Sequence, residues 1–188
     1  MVSFYDMFMY PLESMGIRKA RKSLVSMVSG NVLEVGSGTG VNIGLYDFDK
    51  IDSLILSDRK LSKKLKKVSM DKVTLKQIDV TSLPFEDNTF DYVVHTLVFC
   101  SVNDVNKGLL ELKRVLKPNG KLVFIEHIHP EGNILKKVFS FLNPAWRKIA
   151  SGCNINRDYI GSLESNGFHV VSTSKFMKTV FVYGVAEL

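Results

Sequence analysis

The chain has 188 residues, of which 45% are hydrophobic and 23% charged; it is long enough to bury a substantial core, and its ordinary composition excludes a disordered or low-complexity chain. The net charge of +6 raises nucleic acid or an anionic surface as a partner without settling the question. No apolar run nears the roughly 18–20 residues that cross a bilayer, no basic-then-apolar signal pattern opens the chain, and two cysteines are too few for a disulfide framework, so one cytoplasmic domain with reduced thiols is expected.

Residues 1–12 concentrate Phe4, Tyr5, Met7, Phe8, Met9 and Tyr10 before Pro11, a cluster that must pack on the core or cover a ligand. From Glu13 to Val28, Met15, Ala20, Leu24, Met27 and Val28 make a rough helical stripe, with Arg18, Lys19, Arg21 and Lys22 elsewhere. Gly30-Asn31 ends that helix. Val32, Leu33 and Val35 then read as a central parallel strand buried on both faces. Gly36, Gly38 and Gly40 follow in alternation, a turn whose backbone a ligand can approach closely. The segment from Val41 to about Tyr46 is expected to open a short helix, whose N-terminal N–H groups would favour an anion. Ile51–Ser57 is the second strand, closed by Asp58 and followed by Arg59. Lys60, Lys63, Lys64, Lys66 and Lys67 surround Leu61, Leu65 and Val68 on a predicted short helix, read as a solvated face.

Lys72–Ile78 is a third strand ending in Asp79-Val80, and Tyr92–His95 a fourth, reached through Leu83-Pro84-Phe85 and the turn to Asp91. A helix over 103–117, capped by Asn103 or Asp104, stops at Pro118-Asn119-Gly120. Lys121–Glu126 forms the fifth strand, with Glu126-His127 at its end. Residues 134–150 make an amphipathic insert that Pro144 is expected to break. A helix over 158–165 then precedes two strands, 168–172 and 179–185, whose direct succession implies an antiparallel pair.

A dinucleotide fingerprint spaces its glycines G-x-G-x-x-G, whereas Gly36, Gly38 and Gly40 stand G-x-G-x-G. Glu34, two positions earlier, would repel a pyrophosphate and suits an ammonium group. The stretch Glu34-Val35-Gly36-Ser37-Gly38-Thr39-Gly40 resembles motif I of the class I S-adenosylmethionine-dependent methyltransferases. The Leu83–Asp91 phrase and Arg114-Val115-Leu116-Lys117-Pro118-Asn119-Gly120 resemble the same family, so that the likeness covers roughly residues 30–130. It implies an α/β Rossmann-like fold, a seven-stranded mostly parallel sheet of order 3-2-1-4-5-7-6 with strand 7 antiparallel, and helices on both faces. It also implies S-adenosyl-L-methionine as cofactor and S-adenosyl-L-homocysteine as product. Motif I, Asn42 near the methionine carboxylate, Asp58 with Arg59 at the ribose, and Asp79 with Val80 at the adenine become the cofactor residues. Thr96-Leu97-Val98-Phe99-Cys100-Ser101-Val102, Glu126-His127, Pro144-Ala145-Trp146 and Ser151–Arg157 are similar to a methyltransferase type 11 branch that includes thiol methyltransferases and, more distantly, phosphatidylethanolamine N-methyltransferases.

In open α/β sheets, ligands lie beyond the carboxyl ends of the strands. His95 and His127 end adjacent strands, and either could take the acceptor's proton or be a structural histidine. His95 could equally line the methionine moiety. Tyr5, Tyr10, Trp146 and Arg147 could shape the acceptor pocket, under a lid from residues 1–28 and an insert from 130–157. Cys100 and Cys153 match no zinc spacing and are expected to be core packing, with no metal. The expected acceptor is an apolar thiol or amine, the alternative a phospholipid or quinone-type lipid with peripheral membrane contact. A nucleic-acid methyltransferase is disfavoured, since His95-Thr96-Leu97-Val98 stands where a base-amino methylase carries Asp or Asn followed by Pro-Pro-aromatic, and no Pro-Cys nucleophile is present. A non-catalytic binding module is the remaining class.

Overall fold

A computed structural model describes residues 13–150, 152–177 and 179–188. Its strands are β1 (Gly30–Val35), β2 (Ile51–Asp58), β3 (Val73–Gln77), β4 (Phe90–Thr96), β5 (Leu116–His127), β6 (His169–Phe176) and β7 (Phe181–Glu187). They form one sheet in the order β3-β2-β1-β4-β5-β7-β6, as expected. Every pairing is parallel except those of β7, which runs antiparallel to both β5 and β6. The helices are α1 (Arg18–Val25), α2 (Val105–Val115), α3 (Asn133–Ile149) and α4 (Tyr159–Ser165).

Strand alternation divides the core into two layers. Leu33, Val35, Val93, Leu122 and Phe124 face one side, where Leu109, Leu112 and Val115 of α2 and Tyr159 and Leu163 of α4 cover them. Val32, Leu54, Leu56, Val94, Val123 and Ile125 face the other, under Ala20, Leu24 and Val25 of α1. The central strands are therefore apolar on both faces.

Two phrases of the sequence turn out to clasp each other. Arg114, near the end of α2, donates to the carbonyls of Leu83 and Phe85 and pairs with Asp87 and Glu111, while Glu111 accepts from Leu83 N. Lys117 pairs with Asp91 at 2.7 Å, and Asp91 also accepts from Asn31 N at 2.9 Å. The loop before β4 is thereby fastened to the helix that leads into β5.

Four local expectations are corrected. No regular helix follows the glycine turn; residues 39–42 are turns that lead to a single tight helical turn, Ile43–Leu45. Fifteen residues separate Val35 from Ile51; wound entirely as α-helix they would rise about 22 Å, barely the roughly 20 Å that a six-residue strand climbs, which leaves nothing for the bends at either end. The lysine-rich segment likewise keeps only one turn, Leu65–Lys67, anchored by fully buried Leu65. In contrast, α3 runs through Pro144. The bond to Ser140 that proline cannot make is lost, but the neighbouring Asn143 is pinned from outside the helix, accepting from Ile155 N at 2.9 Å and donating to Asn154. The stripe before β1 also divides, into a wide turn Glu13–Ile17 bent at Gly16 (φ 140°) and the helix α1.

Candidate active site

A cavity of about 1500 Å³ opens at the carboxyl ends of the parallel strands. Small-molecule sites usually measure about 300–1,000 Å³, so this one has room for two ligands side by side. Gly36, Ser37, Gly38 and Thr39 form one wall. Gly36 has φ +66°, and a Cβ there would run into the Val98 side chain of the loop after β4, so only glycine lets the two loops meet. Asp58 and Arg59 border the cavity beyond β2, as do Asp79 and Val80 beyond β3. One oxygen of Asp58 accepts from Gly38 N at 2.9 Å and the other from Lys60 N at 3.0 Å, so the acid also shapes the glycine turn. Asp79 Oδ1 accepts from the N–H and the hydroxyl of Thr81 at 2.9 and 2.8 Å. Those bonds, the backbone one foremost, hold its carboxyl below the usual carboxylate range. Exposed Lys60, Lys63, Lys64 and Lys67 stand at the rim beside these acids.

Glu34, Gly40 and Asn42 do not reach the cavity. Strand alternation turns Glu34 into the α1 layer, where it is buried and accepts from Tyr46 Oη at 2.5 Å and from Asn42 Nδ2 at 3.1 Å. Burial raises its pKa, partly offset by Tyr46, Arg21 and Asn42. Gly40 packs under Ile43 and Leu65. Asn42 is fully buried, its Oδ1 accepting from Arg21 Nη1 at 3.0 Å. Positive charge reaches the cavity wall through Arg21, a residue expected off the apolar stripe. Arg21 lines the cavity although only 5% exposed, held by Glu13, Asn42 and Thr96. The spacing could have shown it: Ile17, Arg21, Leu24 and Val28 recur every three or four residues, which places the arginine on the buried stripe.

The two strand-end histidines separate. His95 has no exposure and is enclosed between Glu126, Tyr159, Phe99 and Phe124. Burial keeps the Tyr159 phenol well above its ordinary pKa, and its hydroxyl lies 2.6 Å from His95 Nε2. A carboxylate oxygen only accepts, so Nδ1 is the nitrogen that donates to Glu126 Oε1, at 3.0 Å. Both nitrogens are used inside the protein, and His95 does not border the cavity. His127, one strand over and at the very end of β5, does. Its ring packs on Phe181 with centroids 4.4 Å apart, and its Nδ1 lies 3.6 Å from Cys153 Sγ.

Cys100, on the loop after β4, and Cys153, after α3, are free thiols that border the cavity next to His127. Cys153 is pulled down to about 5, chiefly by its hydrogen bond with Cys100 and further by His127 and Trp146, while burial opposes the shift. The same shared bond, with burial and the Glu126 charge, pushes Cys100 well above its ordinary value. Trp146 and Ile149 of α3 complete this end with Leu97 and Val98. Arg147 does not join them; one position along the helix turns it about 100° away from Trp146, and it is exposed. Tyr5 and Tyr10 lie outside the described residues.

The family model "Methyltransferase domain" matches residues 33–124. Thiol S-methyltransferase TMT1B of Rattus norvegicus is 30% identical over 154 residues, an alignment that takes in 74% of this chain and 60% of that protein. The ubiquinone/menaquinone biosynthesis C-methyltransferase UbiE of Rickettsia prowazekii (strain Madrid E) is 36% identical over 177 residues, covering 83% of this chain and 71% of that one. Among solved structures, the methyltransferase in a complex with the Haloferax volcanii Trm112 methyltransferase activator superposes with a TM-score of 0.76 at 18% identity, over 97% of this chain and 93% of that one.

Proposed function

Since this chain belongs to the class I S-adenosylmethionine-dependent methyltransferases, we propose that its acceptor is an apolar small-molecule thiol. The observation that carries the reading is the composition of the cavity beyond Gly36: Leu97, Val98, Trp146 and Ile149 form an apolar wall, and His127 stands at the end of β5 as a group able to take a proton. A thiol is soft and weakly hydrated, and needs little beyond desolvation, alignment and loss of one proton. The thiol S-methyltransferase relative supports the same class.

The residues present fit the cofactor. Bound S-adenosylmethionine supplies an electrophilic methyl group on a sulfonium. Gly36–Thr39 give it a close backbone wall, Asp58 accepts from ribose hydroxyls with Arg59 beside it, and Asp79 with Val80 receives the adenine. Arg21 holds the methionine carboxylate, and Glu34 and Asn42 act by fixing Arg21 and the turn. His127 takes the acceptor's proton, whereas His95 orients the loop that carries Val98 and Cys100 through Glu126. Trp146 and Ile149 of α3 cover the acceptor.

A quinone-type lipid acceptor is the second reading, supported by exposed Ile134 and Phe141 on α3 beside Lys136 and Lys137 and by the UbiE relative. No helix among the described residues is long and apolar enough to cross a membrane; on this reading the contact is a peripheral one, through the exposed face of α3. The deciding experiment incubates the chain with labelled S-adenosylmethionine and a panel of apolar thiols, amines, phenols and quinols. Turnover of thiols is expected; methylated quinol or amine with no thiol product would overturn the assignment.

A further inference from the structure

Cys100, His127 and Cys153 come from three separate segments, so no sequence spacing announces them. Folding brings one ligand atom from each to within 4.8 Å of the others. Zinc bonds of about 2.3 Å to sulfur and 2.0–2.1 Å to nitrogen give tetrahedral edges of roughly 3.5–3.8 Å. The Cys153 Sγ to His127 Nδ1 separation is 3.6 Å. We propose that these three side chains form an open site for a zinc-class divalent ion, whose fourth position faces the cavity and takes the acceptor's sulfur.

The surroundings are those of a prepared ligand set. Glu126 accepts from Cys100 N, Asn154 donates to Cys100 O through both its N–H and its side-chain amide, and Phe181 fixes the His127 ring. Such outer contacts orient ligands before an ion arrives. Binding a divalent ion here would release the thiol protons of both cysteines. Two thiolates and a neutral imidazole balance a divalent charge, so the Arg157 guanidinium, whose field reaches both cysteines, meets a neutral centre. Three protein ligands with an open fourth position are the pattern of a reactive rather than a structural zinc site. The inference rests on the thiol reading and refines it. When an acceptor thiol binds, its S–H bond breaks, the proton goes to solvent and a sulfur–metal bond forms, so His127 serves as ligand in place of base.

The test is an anaerobic titration of the chelator-stripped chain with cobalt(II), without cofactor or acceptor. One ion per chain, a sulfur-to-cobalt charge-transfer band of two-thiolate intensity, tetrahedral visible bands and displacement by zinc are expected. Cys100→Ser and Cys153→Ser, checked for folding by circular dichroism, should each weaken binding at least tenfold. Thiophenol added to the cobalt form should strengthen the charge-transfer band. A wild-type chain that binds no cobalt, or that closes a Cys100–Cys153 disulfide instead, overturns the site whether or not the variants fold. Binding unchanged in both folded variants does the same, and a spectrum indifferent to thiophenol overturns the open position. Because no methyl donor is present, failure of this titration leaves thiol methylation standing, and failure of the acceptor screen leaves the titration standing.

Discussion

Glu126 on β5 and His95 on β4 meet at 3.0 Å, Oε1 to Nδ1, with neither side chain exposed to solvent. The same Glu126 accepts from the N–H groups of Val98, Phe99 and Cys100 at 2.8, 2.8 and 3.2 Å. It therefore holds the backbone of the loop that begins at Leu97, whose φ is +60°. One carboxylate sets both the histidine that stays inside and the loop that borders the cavity.

Glu126→Ala should be the most damaging single change near the site. It leaves three backbone donors and His95 without their acceptor inside the protein, a loss of about 3–5 kcal/mol. The melting temperature should fall by roughly 6–20 °C. A melt within a degree or two of wild type would show that the loop is held some other way.

Arg21→Gln should weaken S-adenosylmethionine binding by about 10–100-fold, the worth of a charge-assisted hydrogen bond of roughly 1.5–3 kcal/mol. Asp58→Ala and Asp79→Ala should each weaken it as well. Isothermal titration on the folded variants reads the effect. Arg21→Gln binding as tightly as wild type would remove the arginine from the carboxylate, and unchanged affinity in both aspartate variants would remove the whole cofactor assignment.

Gly36→Ala should destabilise the chain by about 1–3 kcal/mol, because the new methyl overlaps the Val98 side chain at a positive φ. Trimming the opposing side chain, Val98→Ala, should recover part of that loss in the double variant, measured by urea unfolding. Strict additivity of the two losses would mean the loops do not press on each other.

Acid stability should depend on the clasp at Arg114. Its hydrogen bond, with the Leu83 N–H and its charge behind, holds Glu111 below the ordinary carboxylate range while partial burial opposes. A carboxylate with a depressed folded pKa contributes stability that is fully present above the unfolded value, about 4.3, and is lost as pH falls through the folded one. Glu34 has the opposite sign: raised by burial, it favours folding most at low pH and loses that contribution as pH rises through its folded value. Thermal melts between pH 3 and 7 should show Glu111→Gln losing less stability toward low pH than wild type. Parallel curves would mean the clasp carries no linked proton.

The order of the strands, the glycine turn and the acids at the end of β2 and just past β3 could be read directly, because strand periodicity, turn chemistry and strand-end position belong to consecutive residues. So could the sheet order, through the motif resemblance. Which side chains meet was settled only by packing. Arg21 enters the cavity because α1 lies on the β1 layer, His95 is enclosed by Tyr159 of a distant helix, and Cys100, His127 and Cys153 converge from three segments. Contacts of that kind depend on how faces are covered and how loops return; helical spacing alone puts Arg21 on a buried stripe, but no local pattern says what that stripe or those loops will meet.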